Sequence, residues 1–496
     1  MNKIKLSVIG LLLSGLTIST TPGADNRSEF EQWMKQETGR FQEYKDKRDR
    51  EFTGFLKKQW QEMQTFQGMV RDKTPKPIKI PIARPLPVKP PVTKAPDKSP
   101  VKIPVVKAPT VKPALEKPVI TKPEPIIRLP AGKKIKLDFY GQSLAFSYDP
   151  KLKVRPLNVI NEDAMSRHWS ALSLADYDSI IKQLQAMRKP LELNDWAYAL
   201  LINDVAKGIY PRQKNERTLL IWFLLVKEGY SARIAYDSNR VYLLLPSEQQ
   251  LYASPYFTFD RVRYYALSFE GEKQSPGKVF TYDGHYPGAN KHLDMRLNKT
   301  MKTQRKQRSR SLKFKFQGQN YIVNASYDEQ TVHFLRTYPQ MDIGMYFIAS
   351  VNQATASPLL DQLRPLVEGK SEQDAVNLLL RFVQTAFQYR TDEGQFGMEN
   401  YLFPEETLHY PYSDCEDRSV FFAWLVKSLL GLEVVGLNYP GHVSAAVRFS
   451  QPVSGDSFSY KGRTYVITDP TYINASAGMT MPAHRKISPE VINISF

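Results

Sequence analysis

Proline decides the gross organisation of this chain. Residues 74–130 hold 16 of its 35 prolines, spaced so that neither a helix nor a sheet can propagate through them. Whatever folds must fold on either side of this segment. Ten lysines with Arg84 and Arg128 stand against Asp97, Glu116 and Glu124, so the segment carries +9, half of the chain's net +18. At roughly 3.1 Å per residue in polyproline II, such a stretch reaches about 170 Å. Two readings stay open: a cationic spacer that touches an anionic envelope polymer such as peptidoglycan, and a linker kept soluble by its lysines.

Residues 1–24 combine two lysines, an apolar run from Leu6 to about Ile18, and small residues ending at Ala24. The run is too short to span a bilayer comfortably and reads as a cleavable secretory signal, the alternative being a retained N-terminal anchor. No later segment is apolar enough to cross a membrane. The chain is therefore expected in the periplasm or secreted, at the cell envelope, and nucleic acid is not an expected partner despite the charge.

Across 25–73 the large apolar residues fall on two series that step by 11, Phe30, Phe41, Phe52, Met63 and Trp33, Tyr44, Phe55, Phe66. A period of 11 over three turns is 3.67 residues per turn, close to a straight helix. The spacing predicts one long amphipathic helix over 25–73. Its stripe would be covered by self-association into a homo-oligomer or by packing back on the globular part.

With 496 residues, 42% of them hydrophobic, the chain has material for two or three real cores. Its one cysteine, Cys415, excludes an intramolecular disulfide and Cys-based metal clusters, and the seven histidines show no ligand spacing. No metal and no cofactor are expected. In an oxidising compartment a lone thiol is a hazard unless it is buried or used.

Beyond the spacer the chain repeats itself. The stretch 136–149 matches 313–328, each with strand-like alternation, a turn containing Gly and Gln, and a closing Ser-Tyr-Asp. Residues 193–210 match 372–389, both helical in spacing, and 215–236 match the run that starts at Cys415, an apolar helix followed by glycine and a strand. Finally 251–257 match 466–472. The predicted organisation is a degenerate unit at 131–260, a connector at 261–310, and a second unit at 311–496. The connector ends in a basic run, Lys299, Lys302, Arg305, Lys306, Arg308 and Arg310, read as an exposed mobile loop or else as an anion site.

The two units differ at three places. The second has Cys415 at a helix start, His442 opening a strand after Pro-Gly, and Asp469 ending the next strand; the first has Lys214, Arg240 and Ser254 there. A thiol attacks as thiolate, and a helix N-terminus or an imidazolium lowers its pKa. Ser413 or Asp414 is a candidate N-cap and Gly431 a stop, so Cys415 falls in a first helical turn. His442 suits a base that then serves as acid, and Asp469 a carboxylate that orients its ring. The backbone N–H of Cys415 could hold an oxyanion, with a second donor among Gln388, Gln395 and Tyr412.

The run Ser413-Asp414-Cys415-Glu416-Asp417-Arg418, then Gly441-His442, then Thr468-Asp469-Pro470-Thr471 resembles the core motifs of the transglutaminase-like superfamily, in particular its exported bacterial members, over roughly 372–475. The resemblance implies an α+β, papain-like fold with the cysteine helix packed on an antiparallel sheet. It also implies Cys415, His442 and Asp469 as catalytic residues, and thioester chemistry at amide bonds. Members commonly have an aromatic residue two places after the histidine, where this chain has Ser444.

The expected function is thus a cysteine enzyme acting on peptide or isopeptide amides of a protein or peptide substrate, with peptidoglycan a further candidate and hydrolysis favoured over cross-linking. The alternative is a non-catalytic oligomeric envelope scaffold that binds cell-wall polymer.

Overall fold

A computed structural model describes residues 25–70, 74–83, 130–271, 275–492 and 494, with side chains from residue 32 onward. Residues 1–24, read above as a secretory signal, and most of the proline-rich segment, 84–129, lie outside the described residues.

Helix α1 (Asp25–Leu56) is shorter than the 11-residue period predicts. The series breaks after Phe55, because Trp60–Gln64 is a strand, β1, paired antiparallel with β8 (Lys278–Tyr282). Met63 therefore packs on a sheet core and Phe66 stacks on Tyr256, while on α1 itself Trp33, Phe41 and Tyr44 are exposed. Backbone pairing across a sheet decided the conformation here, and the helical spacing of two residues did not.

The remainder, α+β with antiparallel sheets, is built twice. The first unit opens with the hairpin β2 (Lys133–Phe139) and β3 (Gln142–Tyr148), then α2 (Asp195–Ile209), α3 (Lys214–Lys227), β4 (Arg233–Tyr236), β5 (Val241–Pro246), β6 (Tyr256–Phe259), β7 (Val262–Leu267) and β8. The second opens with β9 (Gln307–Phe316) and β10 (Gln319–Asp328), then α4 (Glu372–Ala386), α5 (Cys415–Leu430), β11 (Glu433–Tyr439), β12 (His442–Arg448), β13 (Ser457–Tyr460), β14 (Arg463–Thr468) and β15 (Glu490–Ile492). Both hairpins close on two residues with positive φ, Tyr140-Gly141 and Gln317-Gly318, the geometry that matches the twist of the flanking strands.

The sheets share one strand order. The first runs β6-β7-β5-β4-β8 with β1 added at the edge, and the second β13-β14-β12-β11-β15, all neighbours antiparallel. Helices α3 and α5 each pack between their sheet and the preceding helix. Both are buried nearly all round, through Leu219, Trp222 and Phe223 in one and Val420, Phe421 and Leu425 in the other.

Two predicted boundaries move. Strands β7 and β8 lie in 261–310, so the first unit runs on to Tyr282; the local sequence gave no sign that these strands pair with β5 and β4. The basic run is not one loop, since β9 begins at Gln307. Lys306 and Arg308 pair with Glu329, and Arg310 donates to the carbonyls of Tyr410 and Pro411.

Candidate functional site

His442 opens β12 because the chain reverses on Pro440-Gly441, which puts Tyr439 and His442 opposite each other. Gly441 has φ +70°, and a Cβ there would lie 3.0 Å from Thr74 Cγ2 and 3.1 Å from the Pro75 carbonyl oxygen, so both conformation and space favour glycine. Asp469 follows β14, the neighbour of β12. Its Oδ1 accepts the N–H groups of Thr471 (2.9 Å) and Tyr472 (3.0 Å), while Oδ2 lies 2.8 Å from His442 Nε2. The Asp-Pro-Thr sequence thus fixes one carboxylate oxygen on its own turn and leaves the other for the imidazole. Gln384 of α4 steadies that turn, its amide nitrogen within hydrogen-bond distance of the carbonyls of Asp469, Tyr472 and Ala475.

The imidazole is buried, which works against its charged form, but Asp469 outweighs this and its pKa is raised. Its Nδ1 is buried with no hydrogen-bond partner among the described residues. That nitrogen is the one left to take a proton.

Cys415 is the first residue of α5, with Asp414 at the N-cap in extended conformation and Gly431 ending the helix at φ +67°. One turn along, Ser419 Oγ donates to the carbonyl of Val443, the residue after His442, at 3.1 Å. This bond ties the first turns of α5 to the start of β12 and so brings the cysteine and histidine positions to the same end of the unit.

The thiol departs from its expected state. It is fully buried and donates to Glu416 Oε2 at 2.9 Å. Burial first, then the charges of Glu416 and Asp414, hold its pKa well above the ordinary value, with Lys76 opposing them in part. Helix position did not prevail because the thiol is buried and the same N-terminus carries acidic neighbours. Burial and Asp414 likewise raise the carboxyls of Asp392, Asp417 and Glu416, the last to about 7. Oxygens of Asp392, Asp414 and Asp417 lie within 4.8 Å of one another.

The cation that meets these acids is Lys76, three residues into the proline-rich segment. Its Nζ is 2.7 Å from Asp414, 2.8 Å from Glu399, 3.0 Å from Glu416 and 3.3 Å from Asp392. Lys76, Glu416, Gly441 and His442 line a cleft of about 940 Å³. Sequence reasoning missed Lys76, Glu416 and Gln384. A lysine between prolines reads as solvated, and only the chain path reveals its partners. Of the candidate oxyanion donors, Gln388, Gln395 and Tyr412, none lines this cleft.

The first unit clarifies which features are scaffold. In α5, Arg418 donates to the carbonyls of Phe387 (2.8 Å) and Gln384 (3.4 Å) at the end of α4; in α3, Arg217 donates to those of Tyr210 (3.3 Å) and Pro211 (3.2 Å) just past α2. Each arginine satisfies helix-end carbonyls, so the residue is architectural. The shared strand order makes Ser268, which follows β7, the counterpart of Asp469, correcting the match to Ser254. Lys214, Arg240 and Ser268 line a cavity of about 50 Å³, beside an Arg217–Glu270 ion pair.

Buried carboxyls make a pH prediction. Glu405 is raised to about 7 and Glu406 to about 8, chiefly by burial, and Glu416 to about 7, against an ordinary 4.5. The folded chain therefore holds these protons more tightly than the unfolded chain does. Their contribution to stability is full below about 4.5 and is lost as pH rises through 7 and 8. His442, raised above 6.5, acts in the same direction. The melting temperature is expected to fall between pH 6.5 and 8.5. Glu406→Gln, which keeps an acceptor for the Phe403 N–H, should flatten that fall, since one pKa unit is worth about 1.4 kcal/mol. A melting temperature that climbs over this interval would contradict the assignment.

Compared with protein-family models, curated proteins and solved structures, the chain has no match.

Proposed function

We propose that this chain is an exported thiol acyl-transfer enzyme of transglutaminase-like, papain-type architecture, with Cys415 as nucleophile, His442 as acid and base, and Asp469 as orienting carboxylate. The single observation that carries the reading is the buried 2.8 Å pair between His442 Nε2 and Asp469, lying where Ser419 ties the cysteine helix to the histidine strand. The absence of this trio from an otherwise matching first unit supports a role separable from folding.

In this reaction His442 Nδ1 takes the thiol proton as sulfur attacks the carbonyl carbon of an amide. The backbone N–H of Cys415 at the start of α5 stabilises the oxyanion. The C–N bond breaks, the leaving amine takes the proton from His442, and a thioester remains. Water, deprotonated by His442, then attacks the thioester and returns the thiol. Hydrolysis is favoured over cross-linking, since an amine would have to compete with water. The first unit serves as unreactive support.

The test offers candidate peptides and a labelled primary amine to the full chain, its Lys76→Ala variant and its Cys415→Ala variant, with products read by mass. Products from either of the first two, and none from Cys415→Ala, are expected. Equal products from all three, or none from any, would leave the scaffold reading.

A further inference from the structure

Residues 74–83 lie on the second unit as a bound peptide would. Pro75 and Pro77 hold the backbone extended on both sides of Lys76. Tyr389 Oη donates to the Pro77 carbonyl at 2.9 Å. At the far end, Ile82 bridges Ile473 in parallel and the Ala83 N–H donates to the Ile473 carbonyl at 2.8 Å. Ile80 and Ala83 pack with Tyr472, Ala475 and Met481, in the stretch that follows Asp469. Main-chain hydrogen bonds hold the segment while one side chain fills a pocket, a usual mode of peptide recognition.

That side chain meets four carboxylates, three of them buried, and its ammonium is 5.9 Å from the Tyr401 ring centroid. Asp414 Oδ1 is buried and has no hydrogen-bond partner among the described residues. Four acids converge on this one ammonium, and burial with the charge of Asp414 raises the carboxyls of two of them, Asp392 and Glu416.

We propose that the acidic chamber beside Cys415 is a recognition site for the primary ammonium of a lysine-like residue on an extended peptide. Residues 74–83 are its intramolecular occupant and must leave before a substrate carbonyl reaches the thiol. Burial opposes the charge on Lys76, but Glu416, Asp414 and Asp392 outweigh it and hold the amine protonated. A protonated amine has no lone pair with which to attack, so the chamber selects by charge and does not activate an acceptor. Tethering gives the strap a high effective concentration, and a ligand must exceed it. The inference concerns binding, and it stands whether or not Cys415 performs the proposed acyl transfer.

Because Cys415 is the chain's single cysteine, iodoacetamide labelling reports on this site alone. The full chain should label slowly, and Lys76→Ala and Lys76→Met at least tenfold faster. Adding acetyl-Thr-Pro-Lys-Pro-Ile-amide to Lys76→Ala should slow labelling again about tenfold, while the same peptide with norleucine for lysine should not. Wild-type labelling rates in folded Lys76→Ala, or equal protection by the two peptides, would overturn the proposal. Should the Lys76 variants fail to fold, Asp392→Asn with Glu399→Gln removes two of the four acids and leaves Lys76 paired with Asp414 and Glu416. This variant should label severalfold faster than wild type, and an unchanged rate would overturn the proposal equally. Fast labelling with no products from any peptide would count against acyl transfer and leave the ammonium site standing.

Discussion

For the acyl transfer proposed above, replacing Asp469 by asparagine is expected to lower turnover by about 10³–10⁴-fold while moving the melting temperature little. Asparagine keeps an Oδ1 to accept the N–H groups of Thr471 and Tyr472, so the turn is retained. What changes is the partner of His442. The carboxylate accepts a proton from Nε2, whereas an amide nitrogen donates one to it. The ring would then carry its proton on Nδ1, the nitrogen that accepts the thiol proton in the proposed reaction. Measured kcat and KM should separate the effects, with kcat falling and KM nearly unchanged. Turnover within tenfold of wild type would show that Asp469 does not orient the imidazole.

The second large effect is on folding. Arg418 is almost fully buried, donates to the carbonyls of Phe387 and Gln384 and to Ser413 Oγ at 3.1 Å, and lies close to the charges of Asp414 and Asp417. Burial lowers its pKa to about 10, which still leaves the guanidinium charged at neutral pH. Arg418→Met removes that charge, orphans the helix-end carbonyls and leaves Lys76 alone to offset Asp414 and Asp417. A loss of about 3–5 kcal/mol is expected from denaturant midpoints. A loss below about 1 kcal/mol would mean that water or neighbouring groups replace the arginine. Arg217→Met should cost less, because its partner Glu270 is partly exposed and can be rehydrated.

The two predictions separate the proposed chemistry from the scaffold along the line that the duplicated units draw. Arginine recurs at the same place in both helices and does the same work at the end of the preceding helix. Cysteine, histidine and aspartate do not recur, and in the second unit the histidine and aspartate are hydrogen bonded while the thiol donates to Glu416.

Much of the local structure was legible. Gly141 and Gly318 marked two tight hairpins, Gly431 a helix stop, and Pro440-Gly441 the turn before His442, because each position needs a backbone geometry that few residues supply. The alternating and helical apolar patterns marked the hairpins and the buried helices. The same rules failed where one short pattern fits two structures. Met63 and Phe66 continue a helical period and yet lie beyond the helix, since pairing with β8 for Met63 and with Tyr256 for Phe66 outweighs propensity over so few residues. Matching Ser254 to Asp469 failed similarly, as register between distant strands is set by pairing.

From sequence alone came the duplicated pattern, the turns and the three residues that set the second unit apart, all properties of residue type and near-neighbour spacing. Tertiary structure decided the state of those residues: that Cys415 is buried with its proton on the Glu416 side, and that Lys76 is the counter-ion of its acidic surroundings. The reason is electrostatic. The cost of a buried charge depends on what else is brought within a few ångströms of it, and the cation here comes from more than 300 residues away along the chain.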